Sequence, residues 1–425
     1  MLQKIFFTIL FILTLVILGF FIAAFLISRG DEKVSFGEAL REVAPFGNLV
    51  EDLVLPPRSP LPTSPSGEEA GGLPGTSLGG TIPLLYKISA EPVAGATAFM
   101  RDGTEYVRYV LLETGNIYEY GATTTVGERV SNTTAPGVKK VVWDGGGNFV
   151  IFRFLSQETT VRSYLGQIAV GTGRGAGDAP AGVIIGTFLN DGVADIVASP
   201  DKKQFLSLSA ASGNSTWTLS AFGFEKKGGE DSTVPVRFPL EDVVVSWPQD
   251  ETLVLTTKPS AHASGFSYLF NIKTGGLTKL LGDIAGLTVL PSPDLSRVLY
   301  ARGLPNRIDT LVLNTKTGES APFPVTTLPE KCVWDRKKTA LVYCAIPETL
   351  PRVDYPDAWY QGTMTFSDSL WKIDTATNVP ERLVVPSVAA KETIDATDLF
   401  LSSAGDFLFF INKKDSSLWS LQVSI

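Results

Sequence analysis

Ser292-Pro293-Asp294-Leu295-Ser296-Arg297-Val298-Leu299-Tyr300 is a tight polar turn that opens into a hydrophobic strand. Turns in the same setting, between two hydrophobic runs, recur at Met100–Gly103, Asp144–Gly147, Ser199–Lys202, Pro248–Glu251, Asp335–Lys338 and Ser402–Gly405. Aligned on their third residues, the seven turns lie about 44, 55, 49, 44, 43 and 67 residues apart. A period near 40–50 residues built from short antiparallel strands is the signature of a β-propeller. The expected fold is therefore all-β, a propeller of seven blades rather than six or eight.

Each unit continues past its first hairpin into a third strand, as in Tyr268–Ile272, Thr310–Leu313, Leu370–Asp374 and Leu418–Leu421. Polar turns follow, Lys273-Thr274-Gly275-Gly276 and Lys316-Thr317-Gly318-Glu319, of the kind that join antiparallel strands. The last unit runs out after its third strand, at Val423, whereas Leu84–Ile88 has no unit of its own. This predicts that residues 84–88 supply the missing outer strand of the last blade and close the ring, protecting edges that an open array would expose.

The segments Val-Val-Trp-Asp-Gly-Gly-Gly-Asn-Phe-Val-Ile-Phe (141–152), Ser292–Tyr300 and Leu370-Trp371-Lys372-Ile373-Asp374 resemble the WD-like repeats of TolB-like propellers and of the dipeptidyl-peptidase N-terminal propeller. The resemblance covers residues 84–425, with the turns of blades two and six departing from the Ser-Pro-Asp-Gly form. It implies a docking platform or the substrate-gating half of a serine peptidase. The chain continues to Ile425 without a hydrolase domain, so peptidase activity does not carry over.

Residues 5–27 form an uncharged apolar run, long enough at 1.5 Å per residue to cross a bilayer as a helix. It also outlasts the 7–15-residue apolar core of a cleavable signal peptide. Residues 1–29 therefore read as one transmembrane signal-anchor, with a cytoplasmic N-terminus and an extracytoplasmic propeller. Residues 30–82 hold a short amphipathic helix over 34–43, with Ser35 and Glu38 spaced as a capping box, and a Pro/Gly/Ser-rich linker over 55–81. The propeller occupies 83–425. Within the linker, Gly75-Thr76-Ser77-Leu78-Gly79 matches the nucleophile pattern G-x-S-x-G but lacks the strand-to-helix turn on which it works.

The net charge of −8 and the lack of a Lys/Arg block argue against nucleic acid as a partner. The two cysteines, Cys332 and Cys344, flank one turn. If Asp335 and Thr339 close that turn, Cys332 faces Val342 and Cys344 lies diagonally across, so a disulfide and two separate apolar residues both stay open.

No cofactor or metal is expected. The single histidine, His262, falls in a polar loop between the second and third strands of blade four. Asp191-Gly192-Val193-Ala194-Asp195 is similar to calcium-loop cores, but Val193 interrupts the alternation of oxygen donors. The Gly-rich run Gly171–Gly177 lacks the register of a phosphate loop. Carboxylates alone remain as candidate acid–base groups, and no catalytic residue is assigned. The most informative departure from the repeat is the blade-six insertion between Ala345 and Ser369. It carries Arg352, Tyr355, Trp359 and Tyr360, residue types enriched at binding hot spots, on a loop at the channel mouth. These four are the candidate partner-binding residues, against a reading in which the aromatics only pack onto the propeller top. The functional expectation is a membrane-anchored interaction or ligand-binding module, not an enzyme, meeting a protein or polymer of the cell envelope. A carboxylate enzyme or glycan-binding protein at the channel mouth is the alternative.

Overall fold

The computed structural model describes residues 84–121, 127–156, 160–169, 182–210, 216–226, 230–237, 242–304 and 306–424. The apolar run 5–27, the helix over 34–43, the linker with its G-x-S-x-G match and the Gly-rich run 171–177 lie outside them. Among the described residues no helix is long and apolar enough to cross a membrane.

Seven four-stranded antiparallel sheets follow one another along the chain. Their first, inner strands are Val93–Arg101, Val138–Trp143, Val193–Ala198, Val243–Gln249, Thr288–Pro291, Cys332–Trp334 and Ala396–Leu401. Each of the seven turns read from the sequence joins an inner strand to the second strand of its blade. The fold is thus the expected seven-bladed propeller. Second strands are covered on both faces and read as continuous apolar runs: Leu341–Pro347 and Phe407–Asn412 are buried along nearly their whole length. Outer strands such as Ser320–Pro322 and Val379–Val384 are largely exposed.

The turns work through two local devices. Gly103, Gly147, Lys202, Leu295 and Gly405 each occupy the fourth turn position with a left-handed φ, of 75°, 67°, 55°, 55° and 86° respectively. Glycine adopts that conformation without the Cβ penalty, which explains its recurrence in the pattern. The leading serine then closes the turn: Ser292 Oγ donates to Asp294 Oδ1 at 2.6 Å and accepts from Arg297 N at 3.0 Å, and Ser199 repeats both bonds with Asp201 and Gln204.

Ring closure is as predicted. Leu85–Ser89 pairs antiparallel with Leu418–Gln422, with Leu85 opposite Leu421 and Tyr86 opposite Ser420, so both ends of the described chain build blade seven. Lys87 Nζ adds an ion pair to Glu392 at 2.6 Å and lies 4.9 Å from the Trp419 ring.

The register of blade six corrects the sequence reading. Cys332 lies directly opposite Cys344, Trp334 opposite Val342, and the two cysteines form a disulfide. The turn is wider than expected because Asp335 Oδ1 accepts from both Lys337 N and Lys338 N, while Asp335 N bonds Leu341 O. That shift of two residues turns a diagonal pair into a facing one.

Two outcomes check the closure and the register. Leu85→Ala, at a buried site, costs about 2–4 kcal/mol in urea denaturation. The same change at exposed Leu84 stays within about 0.5 kcal/mol. Non-reducing peptide mapping recovers Cys332 joined to Cys344, and replacing both by serine lowers stability by about 3 kcal/mol, as for a loop of this length.

Candidate functional site

The blade-six insertion leaves the second strand at Pro347 and re-enters the third at Asp368. Its chain crosses the top of blade five and reaches blade four. Asp357 there accepts from Ser260 Oγ at 3.0 Å and from Ala261 N at 2.6 Å, and His262 Nε2 lies 3.2 Å from Asp354 Oδ2. His262 is otherwise exposed, in keeping with a loop position. Blade five makes room for the crossing with two glycines: a Cβ on Gly303 would lie 2.2 Å from Tyr355 O, and one on Gly286 2.6 Å from it.

The four candidate residues divide. Tyr355 and Trp359 are 0% and 3% exposed and belong to an apolar cluster with Ala301, Ile308, Leu328 and Phe366. Tyr360, 43% exposed, and Arg352 face outward. Burying an indole of some 200 Å² contributes roughly 5 kcal/mol, so the largest aromatic of the insertion is committed to holding it down.

Beneath Trp359 lies a charge network with no solvent exposure. Lys331 Nζ contacts Asp395 Oδ1 at 2.5 Å, Asp368 Oδ2 at 2.8 Å and Ala396 O at 2.9 Å. Trp359 Nε1 donates to both Asp395 oxygens at 3.2 and 3.0 Å, and Phe366 N to Asp395 Oδ2 at 3.0 Å. Lys331 also sits 5.2 Å from the Trp359 ring and 5.0 Å from that of Phe366. One ammonium faces two carboxylates, so one carboxyl is in surplus. Asp368 is that group: its Oδ1 has no partner, and burial, opposed by Lys331, pushes it up to about 6.

Above the network, at the wall of the channel, is a cavity of about 410 Å³ lined by Glu330, Trp359, Tyr360, Asp398 and Lys413 among others. Tyr360 Oη donates to Glu330 Oε1, while Glu330 Oε2 is buried without a partner. Burial raises the Glu330 carboxyl, and burial followed by the charge of Glu330 raises the Tyr360 phenol. Asp398, on the inner strand of blade seven, has a left-handed φ of 50° at a break in the strand register, and burial raises its carboxyl against the pull of Lys140. Lys413 donates to Trp359 O and lies 4.0 Å from that ring; burial lowers its ammonium. The cavity thus sets two carboxyl groups, both raised by burial, a phenol and an ammonium against an aromatic wall. It can offer hydrogen-bond donors and acceptors to a polar ligand together with a flat apolar contact.

Sequence reasoning missed Glu330, Asp398 and Lys413, which share no motif and lie far apart in the chain. It also missed Lys331 with its two carboxylates. The one local signal was a charged pair, Glu330-Lys331, set directly before an apolar inner strand. The Asp191–Asp195 segment is tied up internally, Asp191 with Arg162 at 3.2 Å and Asp195 with Arg153 at 3.3 Å. Among the described residues no group of three or more His, Cys, Asp or Glu is placed to hold a metal ion.

The molecule is similar in fold to the oligogalacturonate lyase of Vibrio parahaemolyticus, at 12% identity and a TM-score of 0.52, over 80% of this chain and 93% of the lyase. Both chains share the β-propeller fold, which here has seven blades. TolB of Acinetobacter baumannii matches at 14% identity and a TM-score of 0.40, over 65% of this chain and 63% of TolB. The β-propeller domain of the trilobed protease from Pyrococcus furiosus matches at 9% and 0.48, over 78% of this chain and 96% of that domain. At these identities the likeness shows the fold alone. No family profile and no curated protein sequence matches the chain.

Trp359→Phe keeps an aromatic ring but removes the indole donor from Asp395, which retains Lys331 and Phe366 N, costing about 1–3 kcal/mol, and Trp359→Ala costs about 3–5 kcal/mol in the same denaturation assay. Between its ordinary value of 3.8 and about 6, Asp368 holds a proton in the folded chain that the unfolded chain has released. Its contribution to stability is therefore greatest at low pH and falls as pH rises through that window. Compared with the parent chain, Asp368→Asn removes this falling component from urea midpoints measured across the window.

Proposed function

We propose that the chain is a membrane-anchored, extracytoplasmic binding module of the cell envelope, and that a protein or polymer partner engages the channel mouth through Tyr360 and Arg352. The observation that carries this reading is the way the insertion is held. Tyr355, Trp359 and Phe366 are locked into the propeller, so Tyr360 lines a 410 Å³ cavity from a fixed base, and Arg352 is exposed on the same insertion. A pre-organised aromatic at a concave site loses little conformational freedom on binding, which favours affinity. The placement outside the cytoplasm is supported by the apolar run 5–27 and by the Cys332–Cys344 bond, since disulfides persist chiefly in oxidising compartments.

A second reading, a carboxylate enzyme or glycan-binding protein, is favoured by one feature: Glu330 and Asp398, both with raised carboxyls, line the same cavity as Trp359 and Tyr360. Aromatic faces flanked by carboxyls suit a ligand rich in hydroxyl groups.

Cross-linking mass spectrometry on intact membranes with the full-length chain as bait separates the two. Under the binding-module reading, Tyr360→Ala with Arg352→Ala removes a reproducible protein cross-link while the melting temperature stays unchanged. Cross-links that survive the double change sink it. Under the second reading Glu330→Gln and Asp398→Asn abolish glycan binding or turnover, and Arg352→Ala does neither.

A further inference from the structure

The other end of the channel, where the first-to-second-strand turns converge, holds a separate cavity of about 430 Å³. The turns of blades two, three, six and seven line it, together with Ala98 of blade one; Leu399 lies on the walls of both this cavity and the one at the mouth. Three cations from two turns meet here: Lys202 of blade three, and Arg336 and Lys337 of blade six.

Each is held by a neutral acceptor. Arg336 reaches from blade six to donate to Pro200 O of blade three, Lys202 Nζ donates to Thr97 Oγ1 of blade one at 3.1 Å, and Lys337 Nζ to Ala404 O at 3.1 Å. Among the described residues no carboxylate forms an ion pair with any of them within 4.0 Å. The carboxylates nearby are turned to other partners. Asp144 accepts from Gly146 N and Phe149 N, Asp201 from Ser199 Oγ and Lys203 N, and Asp335 from Lys337 N and Lys338 N. Burial, and then the charge of Arg336, push the Lys202 ammonium down to about 8 against the pull of Asp144. Lys202 and Arg336 are thus close enough to repel one another, while Asp144 and Asp201 act on them through space and form no ion pair with them among the described residues. The adjoining cavity on the far side of Arg336 is lined instead by Asp250 and Glu251 of blade four. Arg336 therefore lines both cavities.

Two like charges held together in a confined space are relieved by an anion between them, and charge-assisted hydrogen bonds from ammonium and guanidinium are the strong ones. Lys202 and Arg336 retain donors that the protein does not use, since an ammonium has three and a guanidinium five. We propose that this end of the channel is an oxyanion-binding site, taking a compact phosphate or polycarboxylate group between Lys202 and Arg336. The site is distinct from the Tyr360 mouth and does not rest on the function proposed for it.

The test is isothermal titration of the full-length chain with inorganic phosphate and, separately, with citrate, ionic strength being held constant with chloride. At least one of the two binds saturably, and which one does so tells phosphate from carboxylate as the natural group. Lys202→Met and Arg336→Met each weaken that binding by roughly tenfold or more, the loss of one charge-assisted contact. Arg336→Lys, which keeps the charge, retains part of it, and Tyr360→Ala leaves it unchanged. If Arg336→Met fails to give a cooperative melt, Lys202→Met and Arg336→Lys decide the matter. No saturable heat with either anion, or binding that Lys202→Met leaves intact, overturns the proposal.

Discussion

A propeller is a linear array of sheets until its two ends are joined, and here five residues do the joining. Leu85–Ser89 adds the fourth strand to a blade whose other three strands end the chain, so the backbone ladder with Leu418–Gln422 converts an open stack into a ring. Without it the third strand of blade seven would present an unpaired edge, and such edges invite association. Contacts between distant blades depend on this closure. Arg336 meets Pro200, and Lys202 meets Thr97, because the ring fixes the distance between residues that lie 136 and 105 positions apart.

Within the ring, the insertion of blade six shows how binding surface and core compete for the same residue types. Tyr355, Trp359 and Phe366 have the composition of a hot spot, yet they are buried, and the Trp359 indole completes the hydrogen-bonding of Asp395. The Lys331–Asp368–Asp395 network explains why that indole is held so firmly. A buried ion pair that loses one partner costs about 3–5 kcal/mol, more than one surface contact to a partner contributes. What the insertion can present outward is therefore set by what the network leaves over, chiefly Tyr360 and Arg352.

Much of the fold was legible because its signals are local. The turns are made by residues within a few positions of one another: in the clearest two, at 199–202 and 292–295, a serine hydroxyl, an aspartate and a fourth residue with left-handed φ. The closing strand was legible by elimination, since residues 84–88 had no blade and the last blade had no fourth strand. The pairing of Cys332 with Cys344 was not, because the register depended on how many residues the Asp335 side chain gathers into its turn. Periodicity gives a strand's existence more securely than its pairing partner.

The sequence by itself determined the number of blades, the place of each inner turn, the closing strand and the anomaly of blade six, all of which follow from backbone conformation and hydrophobic spacing along the chain. Only the tertiary structure decided which side chains share a cavity. Glu330, Asp398 and Lys413 meet at one end of the channel, and Lys202 meets Arg336 at the other, across chain separations that no local pattern encodes. The physical reason is that a ring brings the inner strands and turns of different blades together around one channel. Sequence distance then carries no information about proximity, and burial, charge and pairing are properties of the closed ring alone.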